Sequence, residues 1–366
     1  MEHLCSIKSG KSDTQDAVDD GPYIFFDRSR TIKRSTRYLY DCEALIIPGE
    51  GTEFLPKHFS GKFDLHQRAY ALYDFSDRIN VRFLFHFLHY MSDYFPRVAV
   101  GATVKSLRLR HFEQLPVLLP NLPEQRRIAG VLDEVLGAIA IAKAKAETNL
   151  RNVHDLFSSE LQTVFGKPAS AWQQRTLQEV ATYFGRGRSR HRPRNAPHLY
   201  GGRYPFVQTG DIRNAVRVVT EFSQTYSEDG LVQSKLWPKG TVCITIAANI
   251  AETAILGFDA CFPDSVIGVV VSPKEADAGF VQYVLESYRE RLQALGKGSA
   301  QDNINMGTFE NQRFPFPPVG QQREVAARLD RLRGEAGQLA SIYQQKLAAL
   351  EELRKSLLNQ AFSGQL

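Results

Sequence analysis

Few residues in this chain have types and spacing that could do chemistry. Gly10-Lys11-Ser12 carries the ending of a phosphate-cradling loop. Such a loop needs a glycine five positions before its second one, and Cys5 stands there with no strand expected ahead of it. Gly185-Arg186-Gly187 is a bare GxG without the third glycine of a dinucleotide site, and an arginine-studded turn explains it better. His86 and His89 could ligate a metal from one helix face, but their setting, "FLFHFLHY", is so aromatic that packing is the expectation. Pro263-Asp264 could open a nuclease-like carboxylate pair, yet no acidic-x-Lys follows at a useful distance. No Ser/His/Asp or Cys/His arrangement stands out. The expectation is a chain with no catalytic residue and no metal site. Cys5, Cys42, Cys243 and Cys261 are scattered without a CxxC, which suits ordinary reduced thiols.

Charge placement says more. The 45 Lys+Arg against 40 Asp+Glu leave a net charge of only +5. However, Arg28, Arg30, Lys33, Arg34 and Arg37 cluster, and so do Arg186, Arg188, Arg190, Arg192 and Arg194 with His191 among them. Such blocks suit a surface facing an acidic partner, most often nucleic acid. The plainer alternative is a pair of solvated loops.

These blocks must be positioned by larger elements, and the chain repeats itself in doing so. At one constant offset Phe112 falls on Phe309, Pro120 on Pro317, Gln125 on Gln322, Leu132 on Leu329 and Asp133 on Asp330. Leu150, Leu161 and Phe165 fall on Leu347, Leu358 and Phe362 without a gap. Each half therefore reads as a variable globular block, a proline-rich hinge and a long helix. In the first helix Ile128, Leu132, Val135 and Ile139 recur at spacings of four and three, and in the second Val325, Leu329, Leu332 and Leu339 do so. Pro123 and Pro318 suit helix starts, and Gly166 and Gly364 suit left-handed caps. Glu124 to Phe165 would span about 60 Å. Connectivity makes the two helices antiparallel if they pair.

The length of 366 residues suits two domains plus connecting structure. The expected class is mixed α/β, or α+β: two globular domains separated by two long helices in an antiparallel coiled coil, with a pseudo-two-fold repeat. The boundaries read as 1–115, a hinge and helix over 116–166, a second block over 167–312, and a second hinge and helix over 313–366. Strands are expected at "YIFF", "EALIIP", "RAYALY", "YPFV", "GTVCITIA", "ETAILGF" and "SVIGVVV". Helices are expected at Ile79–Phe95, Gly279–Leu295 and "TLQEVATYF". No apolar run approaches the ~20 residues that cross a bilayer, and Met1 opens no secretory signal, so the expected location is the cytoplasm, away from membranes.

The doubled hinge and helix resembles the specificity subunit of Type I restriction–modification enzymes. It stands as "LPVLLPNLPEQRRIAGVLDEV" with "LQTVFG", and as "FPFPPVGQQREVAARLDRL" with "LLNQAFSG". The opening turns at Ile7–Ser12 and Tyr183–Ser189, and the polar turns near Gly101–Ser106 and at 298–304, are similar to the family's as well. The resemblance covers essentially the whole chain.

It implies two target recognition domains, each reading half of an asymmetric bipartite site in double-stranded DNA, with the helices as a ruler. It also implies recruitment of two methyltransferase subunits and, through them, restriction subunits. S-adenosylmethionine, ATP and Mg would belong to those partners, and this chain would bind no cofactor. Candidate DNA-binding residues are Lys8, Lys11, Ser12, Arg28, Arg30, Lys33 and Lys105 in the first block. In the second they are Arg186, Arg188, Ser189, Arg190, Gln208, Thr209, Lys297, Ser299, Gln301 and Asn303. Two other readings stay open: a coiled-coil adaptor whose globular blocks bind protein, and the specificity module of a differently organised restriction–modification enzyme.

Overall fold

The computed structural model describes residues 1–366 except 2, 30, 192, 248 and 298–303, and except the side chain of Lys297. The chain divides into two compact units. The first is Met1–Asn149 with Tyr343–Leu366, and the second is Leu150–Ile342. Each unit thus takes part of both long helices.

The first unit carries strands β1 (Ser6–Ser9), β2 (Tyr23–Phe26), β3 (Lys33–Ser35), β4 (Tyr40–Pro48), β5 (Lys57–Leu65) and β6 (Ala69–Tyr73). They form one sheet in the order β1-β6-β4-β5-β2-β3, with only β2 and β5 parallel. Helices α1 (Val81–Tyr90), α2 (Tyr94–Val98) and α3 (Leu109–Glu113) follow, then the long α4 (Leu122–Gly166). Asn80 caps α1 by accepting the Phe83 N–H, and Asn121 accepts the Glu124 N–H at the start of α4.

The second unit holds β7 (Gln173–Arg175), β8 (Ala181–Arg186), β9 (Tyr200–Phe206), α5 (Thr209–Asn214), β10 (Val218–Val219), β11 (Gln224–Tyr226) and α6 (Glu228–Val232). Then come β12 (Val242–Thr245), β13 (Thr253–Leu256), β14 (Val266–Val271), α7 (Ala278–Ser287), α8 (Arg289–Lys297), α9 (Met306–Glu310), β15 (Phe314–Phe316) and the long α10 (Val319–Phe362). Its main sheet runs β10-β13-β12-β14-β8, and β9 with β11 and β7 with β15 form small ladders.

Three expectations about local structure are corrected. "TLQEVATYF" is not a helix. Thr176 and Glu179 close a turn through reciprocal bonds between backbone N–H groups and side chains, and Ala181–Arg186 continues as a strand against β14. The helices expected over 79–95 and 279–295 each break, at Met91–Asp93 and at Tyr288. Gly364 adopts a left-handed φ of 78°, but Gly166 ends α4 without one.

The long helices run antiparallel in each unit. In the first, Lys143 faces Glu351, Asn149 donates to the Tyr343 hydroxyl at 3.1 Å, and Ile128 and Leu132 share a core with Leu358 and Phe362. In the second, Glu160 pairs with Arg328, and Leu161 and Phe165 share a core with Leu329. The stripe is narrower than its spacing suggests. Ile139 is buried, whereas Val135 and Leu332 are half-buried. Leu339 is 44 % exposed, and Leu156 and Leu353 are exposed too. The core of each unit lies where its helices seat the globular block; Ala146 and Val153 are buried outside those two cores.

The seats are built alike. In the first unit the fully buried Gln125 accepts the Asn80 N–H at 2.8 Å and donates to the carbonyls of Arg78 and Pro120. In the second, Gln322 accepts the Asp277 N–H at 3.0 Å and donates to the carbonyls of Glu275 and Pro317. Asn80 and Asp277 are the N-caps of α1 and α7, so each glutamine fastens a helix start to a hinge. Eight residues on, Asp133 receives Arg82 and His86 Nε2, the latter at 2.7 Å. Asp330 receives Arg217 and the Tyr283 hydroxyl, the latter at 2.6 Å. The repeat therefore extends through the first helix of each seat, with His86 answered by Tyr283.

Candidate nucleic-acid interface

Each block opens with a strand and then a glycine turn that the backbone demands. A Cβ on Gly10 would lie 1.9 Å from the Leu65 carbonyl oxygen, and one on Gly187 would lie 2.3 Å from that of Phe262. Only glycine lets these turns press so closely on the neighbouring chain. Two residues later the serines turn inward. Ser12 is 1 % exposed and its hydroxyl donates to the Asp64 carboxylate at 2.7 Å, beside Ser35 and Arg37; Ser189 is 7 % exposed. Both were expected on the binding surface. The structure places both side chains in the interior, and the Ser12 hydroxyl ties its turn to Asp64. Lys8 and Lys11 flank the first turn and are exposed.

The basic blocks are partly neutralised by their own carboxylates. Arg28 pairs with Glu50 at 2.9 Å, and Glu50 also holds Arg68 at 2.6 Å. Burial acts to raise the Glu50 carboxyl, but hydrogen bonds from the two arginines keep it below its ordinary range. Lys33 pairs with Asp27 at 2.7 Å, and Arg37 reaches Asp16 at 2.9 Å. In the second unit the Arg186 guanidinium donates to the Asp264 backbone carbonyl at 2.8 Å, and Arg194 pairs with the Asp264 carboxylate at 2.8 Å. The exposed cations Lys8, Lys11, Lys105, Arg188 and Arg190 have no ion-pair partner among the described residues.

Backbone contacts hold the free arginines in place. The Ser234 hydroxyl donates to the Arg188 carbonyl at 2.9 Å, and the His191 N–H donates to Gln233 Oε1 at 3.0 Å. Residues 188–191 therefore run beside Gln233 and Ser234. Gln208 donates to Gln224 at 2.9 Å, and Thr209 opens α5. Arg30, Ser299, Gln301 and Asn303 lie outside the described residues, as does the side chain of Lys297.

Sequence reasoning matched Gln125 with Gln322 and Asp133 with Asp330 but saw no task for them. It also missed two lysines over half-exposed tyrosines. Lys62 lies 4.8 Å from the Tyr38 ring centre and Lys235 lies 3.0 Å from that of Tyr183. The signal was weak, because a lysine 24 or 52 residues from its tyrosine has no recognisable spacing. No group of three or more His, Cys, Asp or Glu side chains that could hold a metal occurs among the described residues. Likewise, no described helix is long and apolar enough to cross a membrane. Burial pushes the Cys5 and Cys261 thiols up to about 11, far from the range of a reactive thiolate.

Two dissimilar sheets are mounted on matching seats, and each unit carries exposed cations with no ion-pair partner among the described residues. The description "Type I restriction modification DNA specificity domain" matches residues 2–150 and again 169–351, and the chain belongs to that family. The Type I restriction enzyme EcoDI specificity subunit of Escherichia coli is 22% identical, over 100% of this chain and 87% of the relative. Two solved structures share the fold. One, described for complex assembly and conformational transition of the type I R-M system, has a TM-score of 0.75 at 16% identity and covers 100% of this chain and 97% of its own. The other, the HsdS subunit from Thermoanaerobacter tengcongensis, has a TM-score of 0.56 at 16% identity and covers 100% and 96%.

Proposed function

We propose that this chain is the DNA specificity subunit of a Type I restriction–modification complex and reads an asymmetric, bipartite duplex target. The observation that carries this reading is the seat built twice: the same glutamine and aspartate fasten two different sheets to one pair of helices. Identical mounts with different heads serve two different half-sites. The free cations supply phosphate contacts, and polar side chains beside them read base edges.

Methylation and cleavage belong to partners. The helices and hinges recruit two methyltransferase subunits and, through them, the restriction subunits, in the cytoplasm. S-adenosylmethionine, ATP and Mg are bound by those subunits. Alone, the chain binds duplex DNA with a steep salt dependence and neither methylates nor cleaves it. Adding the methyltransferase and S-adenosylmethionine confers methylation at one sequence. Methylation by the isolated chain, or binding indifferent to salt, would overturn this and favour an enzyme or a protein-binding adaptor.

A further inference from the structure

In the second unit a lysine outside the arginine-rich turn is held against aromatic rings. Phe262 stacks on Trp237 with ring centres 4.7 Å apart, and Trp237 in turn meets Tyr183 at 5.1 Å. Trp237 and Phe262 are fully buried, whereas Tyr183 is 39 % exposed, so the column rises from the core to the surface. Lys235 closes it, its ammonium 3.0 Å from the Tyr183 ring centre and 4.3 Å from that of Trp237. Gln233 and Ser234, which precede Lys235, bond to His191 and Arg188, so Lys235 follows directly on the segment that holds the exposed Arg188 and Arg190, which have no ion-pair partner among the described residues.

The chemistry of the pair differs from that of its neighbours. Arg186 and Arg194 spend their donors on Asp264. A ring face attracts an ammonium but accepts no conventional hydrogen bond, so Lys235 keeps its N–H donors for another group. Its position is already restricted by two rings, so docking costs less side-chain entropy than for a free lysine. A fixed ammonium beside a phenol suits the major-groove edge of a guanine, with O6 and N7 as acceptors.

We propose that Lys235, set by Tyr183, is a specificity-determining residue that reads a guanine edge in the half-site of the second unit, with Arg188 and Arg190 on the flanking phosphates. This rests on the function proposed above. The test uses the full chain assembled with its methyltransferase, acting with S-adenosylmethionine on a library of duplexes, with methylated positions read by sequencing. Lys235→Gln and Tyr183→Leu are each expected to leave the other half-site and the gap intact. Each should relax discrimination about ten-fold or more at a single base pair. Lys235→Arg keeps the charge and is expected to retain the guanine preference. An unchanged motif with either variant overturns the assignment. So does uniform weakening at every position with a shallower salt slope, which would make Lys235 a phosphate contact. If wild-type complexes write no bipartite motif, it is the function itself that fails.

Discussion

At the scale of single residues, ion pairing divides cations that look alike in sequence. Arg188 and Arg190 lack carboxylate partners among the described residues, while Arg186 is tied to a carbonyl of its own block. Changing Arg188 and Arg190 together to alanine should lower duplex affinity and make the salt slope shallower by about one unit per lost phosphate contact. Arg186→Ala should change the slope less. Equal slopes for the two variants, measured by titration at several salt concentrations, would contradict this division. The histidines rejected as metal ligands have a different consequence. Burial, then the positive neighbours His86, Arg354 and Arg82, push the His89 imidazole down to about 4. Burial also lowers His86, despite its bond to Asp133, and His111. The unfolded chain takes up protons on these rings near pH 6.5, and the folded unit resists. Their contribution to stability is therefore whole above pH 6.5 and is lost as pH falls toward 4. Protection factors along α1, taken relative to the intrinsic exchange rate at each pH, should fall in that window, and His89→Gln should blunt the change. An α1 equally protected at both ends of the window would count against it.

At the scale of elements, the hinge glutamines are the most consequential side chains for the fold. Each satisfies three backbone groups at a site closed to water, and an unpaired buried group costs about 1–3 kcal/mol. Gln125→Ala should destabilise the first unit by at least that much, and Gln322→Ala the second. Glutamate at either position should be no better, since a carboxylate accepts the N–H but cannot donate to the two carbonyls. Unfolding followed within each unit checks this, and a glutamate variant as stable as wild type would contradict the role. These residues also mark how far sequence could go. The helix stripe, the proline hinges and the repeat were legible because a long period repeats the same physics at every turn. Strand β5, "KHFSGKFDL", was not, because its polar face and Gly61 hide the alternation. The "TLQEVATYF" segment misled because nine residues with scattered apolar positions fit a short helix as well as a turn and strand. The binding surface was half legible. Clustered arginines stand out in a sequence, but whether each meets a carboxylate depends on residues brought in by folding, as Glu50 is brought to Arg28 and Asp264 to Arg194.

At the scale of the whole molecule, the helices are the proposed ruler. At 1.5 Å per residue a heptad adds about 10 Å, near three base pairs of duplex. Inserting seven residues after Lys143 and seven after Gln345 keeps the stripe in phase. The target should keep both half-sites and widen only the gap. An unchanged gap, or loss of one half-site in a chain that still assembles, would remove the helices from that role. The central claim, that this chain chooses the sequence, is tested most directly by mapping methylated bases across a genome that carries the methyltransferase with and without it. The account predicts one motif of two unlike half-sites with a fixed gap, present only when this chain is expressed. The same motif written by the methyltransferase alone, or a single uninterrupted motif, would contradict it.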